Sequence, residues 1–418
     1  MTLARTIPRS IVRPFARPLL WVPSPSLYID FLAGQFGNGQ FPVTFTRAST
    51  AAYFGADGLL KSAAVDMPRF DYDPVTLAPK GLLVEESRTN LLVRSTDPSA
   101  ASWAAVGSGC TVNVGAGPRG LSRVTANAAS SAIAQTITVA AGSAITVSFW
   151  AKADNVNFAR VRINGASDNV AAWFDLANGS VGTNTAGSGN VVYSTHTIRN
   201  LGDGVYECRL TVTTTTETSF TVYFFPVSAN GASSATGNAI FQGEYQAEVG
   251  AFPTSRIRTT SATVTRSADV CSIALGAWFS ASQGTSLLEG RLLSVTSGNP
   301  GIRYDDGTDN NRIMQRIGSS GSFRLTVVSA GTEVADIARA ITAGADFRHA
   351  GAYAADDYAT CLNGGTVGTD TSGALPTGLT TLRFSGVVGS SYFNGHIRRI
   401  AYYPRRLSNA QLQAITGA

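Results

Sequence analysis

Several residue types are scarce in this chain of 418 residues, and each scarcity narrows what the protein can be. Charged residues make up only 14% of the sequence, and the three histidines are far apart. The four cysteines include no Cys-x-x-Cys pair, so neither a zinc site nor a disulfide scaffold is predicted. No run of about 18 apolar residues indicates a membrane-spanning helix. Neither His-Glu-x-x-His nor Gly-x-Ser-x-Gly occurs, which argues against metal-hydrolase and nucleophile-elbow esterase chemistry.

Positive charge is concentrated at the start of the chain. The net charge of the whole chain is +5. Its first 29 residues contain no acidic residue and four arginines: Arg5, Arg9, Arg13 and Arg17. The remainder of the chain is close to neutral, so no folded domain is predicted to bind nucleic acid. Prolines interrupt this segment, and its longest apolar run, Leu19 to Val22, is too short for a secretory signal. We predict an extended anchoring arm over residues 1–40, with a disordered tail as the alternative.

Short segments with alternating apolar and polar residues dominate the middle of the chain. Ile145, Val147 and Phe149 fall on one face of a predicted strand, and Trp150 falls on the opposite face. At least six such segments occur between about residues 110 and 250, separated by Gly, Asn and Asp. This spacing is typical of an antiparallel sandwich in which each sheet has one buried and one solvated face.

Alternating segments continue to the end of the chain, where the pattern changes. Ser408 and Gln411 have the spacing of a helix capping box. A closing strand followed by one short helix is a common end for a concanavalin-like sandwich. The predicted fold class is therefore all-β, with an extended N-terminal arm before two antiparallel β-sandwiches of jelly-roll and concanavalin-like type. The predicted boundaries are 1–40 for the arm, 41–95 for a collar of short strands, 96–265 for the first sandwich and 266–418 for the second.

Two loop motifs admit both a functional and a structural interpretation. Residues 115–120 match the dinucleotide-binding fingerprint in form, but an internal proline and the extended segment after it favour a hairpin turn. Asp305, Asp306 and Asp309 can offer oxygens to calcium, but their Gly- and Asn-rich surroundings also suit a turn, and no other cofactor is predicted. Because 27 acidic residues can supply a carboxylate pair in almost any fold, glycosidic cleavage stays open.

Aromatic residues are more informative about sugar binding than acidic ones. Flat aromatic faces stack on sugar rings while a few placed polar groups bind the hydroxyls. The candidates for glycan binding are Trp103, Trp150, Trp173, Tyr193 and Trp278. Each of them can equally be part of the core, because burying an aromatic ring stabilises a sandwich.

Residues 45–92 form a compact block that contains FTRAST, PRFDYDP and GLLVEESRTNLL, and a later run reads YQAEVGAFPTSRIRTTSATVTRSAD. Together they resemble a family of phage and prophage tail proteins, over about residues 41–270. The residues that carry the resemblance are Thr46, Arg47, Ala48, Ser49, Gly81, Leu82, Leu83, Glu85, Arg88, Thr89, Asn90 and Leu91, then Gln246, Glu248, Pro253, Thr254, Ser255, Thr265, Arg266 and Asp269.

The resemblance implies a carbohydrate-binding-module-like jelly roll, and the last domain is similar in pattern to laminin-G modules. It implies a virion structural protein of a tailed phage or phage-like particle, assembled in the bacterial cytoplasm. Such a tail-fibre, tail-spike or head-spike component would be a homotrimer that attaches to bacterial surface glycan and contacts other virion proteins through its arm. We expect no enzymatic activity, nucleic acid or membrane insertion. The alternatives are a polysaccharide depolymerase and a purely architectural decoration or collar protein.

The block at residues 45–92 also has a physical interpretation. It brings arginines close to several acidic residues, and the fork of an arginine binds a carboxylate bidentately. Strands this short bury little apolar area, so ion pairs and hydrogen bonds would set their register. We therefore predict a structural collar rather than a catalytic cluster. Its motif residues are Arg47, Arg69, Glu85, Arg88 and Asn90.

Overall fold

The protein is an all-β molecule built of two antiparallel β-sandwiches, as the sequence predicts. The computed structural model describes residues 21–36, 42–187, 189–294, 300–318, 321–385 and 392–417. Residues 1–20 and 37–40 of the predicted arm lie outside these ranges. Across the ranges given, no helix combines the length and the apolar character needed to cross a membrane.

Short strands occupy the first part of the described chain. They are β1 (Leu27–Asp30), β2 (Thr44–Thr46), β3 (Ala51–Phe54), β4 (Leu60–Ala63), β5 (Phe70–Tyr72), β6 (Pro79–Val84) and β7 (Arg88–Asn90). A 3-10 turn, Phe31–Ala33, follows β1, and the side chain of Asp30 caps it. Strands β3 and β4 form a hairpin of their own.

The first sandwich is a jelly roll made of the next strands. These are β8 (Ala104–Val106), β9 (Cys110–Asn113), β10 (Ser122–Ala126), β11 (Ala132–Thr138), β12 (Ala144–Ala153), β13 (Phe158–Asn164), β14 (Asn169–Asp175), β15 (Ser180–Asn184), β16 (Val191–Gly202), β17 (Val205–Thr214), β18 (Ser219–Val227) and β19 (Ala239–Val249). One sheet has the order β16-β17-β12-β19-β10-β9, and the other β15-β14-β13-β18-β11-β8. Strands β9 and β10 pair antiparallel, which confirms the hairpin turn predicted at residues 115–120.

The remaining strands follow the jelly roll in the chain, and all of them except the first, which pairs with β7 alone, belong to the second sandwich. These are β20 (Val264–Arg266), β21 (Val270–Ala274), β22 (Gln283–Leu292), β23 (Pro300–Asp305), β24 (Arg312–Ile317), β25 (Ser322–Ser329), β26 (Thr332–Ala340), β27 (Asp346–Ala354), β28 (Asp357–Leu362), β29 (Gly368–Asp370), β30 (Thr381–Arg383) and β31 (Gly395–Tyr403), with helix α1 (Asn409–Gly417) at the end. The amide of Ser408 donates to the side chain of Gln411 at 2.8 Å, and the amide of Gln411 donates back to the Ser408 hydroxyl at 3.3 Å. The predicted capping box is thus confirmed.

The jelly roll is inserted into the second sandwich. One sheet of the second sandwich runs β29-β28-β27-β22-β31-β6-β5, and β1 also pairs with β31; the other runs β2-β21-β30-β23-β24-β25-β26. Strands β1, β2, β5 and β6 precede the jelly roll in the chain, whereas the other strands of these sheets follow it. The chain leaves at β7 and returns at β20, and these two strands pair with each other.

Parts of the predicted arm and collar therefore belong to the two sheets of the second sandwich. Leu27 and Ile29 of β1 are 0% and 2% exposed, and Leu27 lies opposite Tyr402 on β31. The alternation of these two apolar residues turns both into the sandwich core, which a free arm would leave in water.

The outer face of the jelly roll packs against the collar hairpin. Ile145, Val147 and Phe149 point into the core between the two jelly-roll sheets, as predicted. Trp150, on the other face of β12, contacts Phe54 of β3 in a separate cluster of buried side chains. The β3–β4 hairpin thus covers part of the outer face of this jelly-roll sheet.

Candidate functional site

A cluster of buried charges lies where the two sandwiches are joined. Its members, here called the junction cluster, are Arg47, Arg69, Glu85, Arg266 and Asp269, and each is at most 1% exposed. Asp269 accepts hydrogen bonds from Arg47 at 3.0 Å and from Arg69 at 2.6 Å, and Arg69 lies 2.8 Å from Glu85. Arg266 lies 3.6 Å from Glu85 and 3.9 Å from Asp269. Three arginines therefore share two carboxylates.

The carboxylates of the junction cluster are fully engaged. Burial raises the pKa of Glu85, but Arg266 and Arg69 outweigh it, so the pKa is lowered to about 2. The Glu85 oxygens also accept hydrogen bonds from the backbone amide and the hydroxyl of Ser255, both at 2.7 Å. Asp269 additionally accepts a bond from the Glu85 amide at 2.9 Å. Because each oxygen already has a donor, this arrangement is suited to holding the chain crossings together rather than to acid–base catalysis.

The other two motif residues lie beside the cluster on β7. Asn90 is fully buried, and its amide nitrogen donates to two backbone carbonyls at 3.0 and 2.8 Å. Its oxygen accepts from two backbone amides, both at 3.1 Å. Arg88 is paired with Glu86, and its guanidinium lies 4.9 Å from the ring centroid of Phe252. Both residues thus hold the start of the inserted jelly roll against its last strand and the segment after it.

Three of the five aromatic candidates for glycan binding are buried: Trp103, Trp150 and Trp173, of which Trp173 is described below. Trp103 is 7% exposed in the jelly-roll core, and its ring nitrogen donates to the Arg94 carbonyl at 3.2 Å. Trp150 is 2% exposed and stacks on Phe54 with 6.0 Å between ring centroids. Neither ring offers a face to a ligand, because each already has a protein neighbour.

Two further candidates are half-buried and lie apart from each other. The hydroxyl of Tyr193 on β16 is 2.8 Å from the Nδ1 of His196. Trp278 packs edge-on against Tyr402, with 5.4 Å between ring centroids, at the rim of the second-sandwich core. The structure therefore does not gather Trp103, Trp150, Tyr193 and Trp278 into one site.

The predicted calcium loop connects β23 and β24 and is held by arginines. Asp305 is 1% exposed and accepts hydrogen bonds from Arg303 at 2.7 Å and from Arg383 at 3.0 Å. Asp309 lies 2.8 Å from Arg303, and Asp306 accepts bonds from its own loop. In the part of the chain that the structure describes, no group of three or more His, Cys, Asp or Glu is placed to hold a metal ion. Arginine already neutralises two of the three carboxylates that calcium would need.

The fifth candidate, Trp173, belongs to an arrangement on the outer face of the second jelly-roll sheet, the one that contains β13, β14 and β18 and does not contact the collar hairpin through Trp150. Arg160 and Arg162 on β13 alternate with core residues and so point outward, and β14 and β18 flank them. The guanidinium of Arg160 lies 4.7 Å from the ring centroid of Trp173 and 4.8 Å from that of Phe225. The guanidinium of Arg162 lies 4.5 Å from the Tyr223 centroid and 5.2 Å from that of Phe225. We call these five residues the arginine platform.

The two platform arginines carry positive charge that nothing on the described chain balances. Among the residues that the structure describes, neither guanidinium forms an ion pair. The Nε atom of each arginine is buried and has no hydrogen-bond partner. Burial and the adjacent charge of Arg162 lower the pKa of Arg160 to about 10, so it remains a cation at neutral pH. The buried side-chain oxygen of Asn164, on the same strand, also lacks a partner. Such a site can bind a carboxylate or phosphate through the arginine forks.

The sequence contains a signal for the platform in the alternation of two strands. Residues 159–163 are one of the alternating segments between residues 110 and 250 and form part of β13, but alternation alone does not distinguish Arg160 and Arg162 from other outward-facing residues. Tyr223 and Phe225 alternate in the same way on β18, and the register places Arg162 opposite Tyr223 and Arg160 opposite Phe225. Only the pairing of the strands shows that the two patterns coincide.

Comparisons with known proteins give no family assignment. No family model matches the chain, and no curated protein matches it. Among solved structures, it is similar to the CBM40 carbohydrate-binding module of the Ruminococcus gnavus IT-sialidase, bound to α2,3-sialyllactose, at 21% identity and a TM-score of 0.30. That match covers 33% of this chain and 84% of the module.

Two further solved structures are also similar to parts of the chain. Domain 4 of the arabinanase AbnA from Geobacillus stearothermophilus, in complex with arabinotriose, is 14% identical, with a TM-score of 0.31, and covers 40% of this chain and 80% of its own. The laminin LG4-5 domains of the mouse α1 chain are 10% identical, with a TM-score of 0.23, over 77% of this chain and 94% of theirs.

Proposed function

We propose that this protein is an attachment protein of a tailed phage or phage-like particle and binds acidic glycan on the bacterial surface through the arginine platform. The observation that supports glycan binding is the pair Arg160 and Arg162, stacked on aromatic rings without a carboxylate partner in the described chain. Holding two like charges together at a partly buried position is unfavourable. A bound anion offsets that cost, and a carboxylated or phosphorylated sugar supplies one.

The aromatic rings contribute to the same site. Stacked arginines are fixed in orientation, so less conformational entropy is lost when their forks bind a ligand. Tyr223 is half-buried beside Arg162, so part of its ring is open to a sugar. Trp173 is 5% exposed and acts mainly by supporting Arg160. An acidic sugar is therefore favoured over a neutral one.

The virion assignment is supported by the resemblance of residues 41–270 to phage tail proteins. The residues that carry this resemblance include Asn90 and four of the five members of the junction cluster. The role we propose for the shared motif is therefore structural: it joins an inserted jelly roll to a second sandwich. We propose that residues 1–20 contact other virion proteins. Residues 27–30 belong to the second sandwich instead.

The collar offers a surface for contacts between copies of the chain. Within residues 59–77, five large apolar side chains are 47–55% exposed: Leu59, Val65, Met67, Val75 and Leu77. Such a concentration of exposed apolar surface is typical of an interface. We propose that these side chains are covered by neighbouring copies in a homotrimer, which would multiply weak glycan affinities by avidity. The mass of the purified protein, measured by light scattering, tests this: a monomer at micromolar concentration contradicts it.

A double variant, Arg160→Gln with Arg162→Gln, tests the glycan proposal. We expect binding to host polysaccharide to weaken at least about tenfold, since two charge-assisted contacts are lost, and the thermal midpoint to change little. Arg123→Gln is the matched control, because Arg123 is a half-buried arginine of the same jelly roll that already pairs with Asp154. Unchanged binding in the double variant contradicts the proposal.

The same preparation distinguishes the alternative functions. Release of new reducing ends from the polysaccharide indicates a depolymerase. Binding without release supports attachment, and neither binding nor release indicates an architectural protein. Deletion of residues 1–20 leaves β1 intact, so loss of the protein from particles after that deletion supports the anchoring role, and normal incorporation contradicts it.

A further inference from the structure

A second concentration of positive charge lies between the two sandwiches, away from the arginine platform. Five cations line a groove of about 440 Å³: Lys80, Arg199, Arg209, Arg291 and Arg398. We call it the basic groove. Arg199 and Arg209 come from β16 and β17 of the jelly roll, whereas the other three come from β6, β22 and β31 of the second sandwich. The groove therefore exists only because the two sandwiches pack together.

The carboxylates around the basic groove do not balance its cations. One carboxylate, that of Glu207, forms ion pairs with three arginines, which are Arg199, Arg209 and the buried Arg256. The contact from Arg199 is long, at 3.9 Å, so this guanidinium keeps donors free for a ligand.

The rest of the groove shows the same imbalance. The carboxylate of Asp346 forms ion pairs with both Arg291, at 3.5 Å, and Arg398, at 2.7 Å. The Asp346 side chain is itself half-exposed. Asp73 also lines the groove, but one of its oxygens accepts hydrogen bonds from two backbone amides of its own turn, at 3.0 and 2.9 Å. Lys80 pairs with Asp71 at 2.6 Å. A bound anion would meet an excess of donors from both sandwiches.

One buried polar atom without a partner points to the kind of ligand. His396 lines the groove, its side chain is 3% exposed, and its Nδ1 has no hydrogen-bond partner. Its Nε2 lies 2.8 Å from Oδ2 of Asp71. Burial and the charge of Lys80 lower the pKa of His396 to about 4, although Asp71 opposes the shift, so the ring is neutral at pH 7. A neutral ring that donates from Nε2 to Asp71 presents Nδ1 as an acceptor, which suits a hydroxyl group.

We infer that the basic groove is a second glycan site, which takes a sugar carrying both a hydroxyl group and an acidic group, either carboxylate or phosphate. The acidic group contacts Arg199, Arg398 and Lys80, and the hydroxyl donates to Nδ1 of His396. An adjoining cavity of about 110 Å³ shares Lys80, Arg199 and His396 with the groove, so the recess that these side chains line extends beyond the groove itself. A ligand that contacts both sandwiches also stabilises their packing.

The test separates this site from the platform by starting from the Arg160→Gln, Arg162→Gln variant. Calorimetry with trigalacturonate, glucose 1-phosphate and neutral maltotriose compares carboxylate, phosphate and uncharged sugars. We expect residual binding of at least one acidic probe at millimolar concentration and none of maltotriose. Adding Arg199→Gln and Arg398→Gln, one from each sandwich, should weaken that binding about tenfold, whereas adding Arg123→Gln should leave it unchanged.

A second measurement tests the inference without the combined variant, in case that variant is unstable. Amide hydrogen exchange of the otherwise unmodified protein should slow in β16 and β6 when the acidic probe is present, since the probe contacts both strands. The inference is overturned if neither acidic probe binds the platform-deficient variant, if the groove substitutions leave binding unchanged, or if protection appears only in β13 and β18. Protection confined to β13 and β18 would still support glycan binding at the arginine platform. The experiment can therefore contradict the basic groove without contradicting the platform.

Discussion

Arg69 and Asp269 lie 200 positions apart in the chain, yet their side chains meet at 2.6 Å and both are fully buried. The pair connects a residue before the inserted jelly roll with one after it. Since the insertion begins at β7 and ends at β20, the pair closes the base of the whole jelly roll. Its energetic role follows from its burial: a buried charge that loses its partner cannot be compensated by water.

Asp269→Asn should destabilise the protein strongly. The substitution leaves Arg47, Arg69 and Arg266 around a single carboxylate, and we expect the free energy of unfolding to fall by about 3–5 kcal/mol. Urea unfolding followed by fluorescence measures it. The control, Asp154→Asn, breaks a half-exposed pair with Arg123 and should cost less than about 1 kcal/mol. Equal effects in the two variants would contradict a structural role for the cluster.

Asn90→Asp tests the hydrogen bonds at the start of the insertion. The aspartate keeps the shape but cannot donate to the two carbonyls at 3.0 and 2.8 Å, so a buried charge faces two oxygens. We expect a loss of about 3 kcal/mol, measured by chemical unfolding. Asn127→Asp, at an exposed position, should change stability by no more than about 0.5 kcal/mol. A stable N90D protein would show that β7 is held by other contacts.

Gly81→Ala tests the packing of β6 against β31. Gly81 has a φ of +100°, and a Cβ there would lie 2.3 Å from the carbonyl oxygen of Ile397. Gly115 also has a positive φ, +67°, but nothing lies within 4 Å of its Cβ position. Gly115→Ala should therefore cost about 1 kcal/mol from backbone strain alone. Gly81→Ala should cost about 2 kcal/mol more, because the backbone must also move. Similar thermal midpoints for the two variants would argue against this close approach.

Stability should fall with pH below about 6.5 because of two buried histidines. Burial and the charge of Arg339 lower the pKa of His349 to about 3, and the pKa of His396 is lowered to about 4. Between about pH 6.5 and 4 the unfolded chain binds protons that the folded protein does not, so each histidine reduces the free energy of unfolding by about 1.4 kcal/mol per pH unit. Unfolding midpoints at pH 7, 6 and 5 measure the slope. His349→Gln and His396→Gln should each flatten it, and an unchanged slope in both would disprove this origin.

The alternation in the sequence predicted strands well. Ile145, Val147 and Phe149 point into the core, and Trp150 points the other way, because side chains alternate strictly along a strand. The same pattern could not show what covers the outer face. Trp150 was a candidate for sugar binding, and the hairpin formed by β3 and β4 buries it.

The pairing of the first strand with the last strand could not be predicted from the pattern of residues, and the reason is physical. Strand β1 has four residues and pairs with β31, whose Arg399 bonds Asp30 at a separation of 369 positions. Such a short strand gains stability almost entirely from the sheet that receives it, so its own composition does not distinguish it from an arm.

Four features are readable from the order of the residues alone: the all-β class, the alternation of buried and outward residues along each strand, the capped terminal helix and the dense motif around Arg47, Glu85 and Asn90. These features depend on local propensity and on the period of side chains along the chain. Three further features emerge only when the chain is folded: the jelly roll is an insertion, the motif charges converge on Asp269, and Arg160 and Arg162 stack on aromatic rings from neighbouring strands. Those outcomes depend on register between distant segments, which pairing and burial set and which local pattern does not contain.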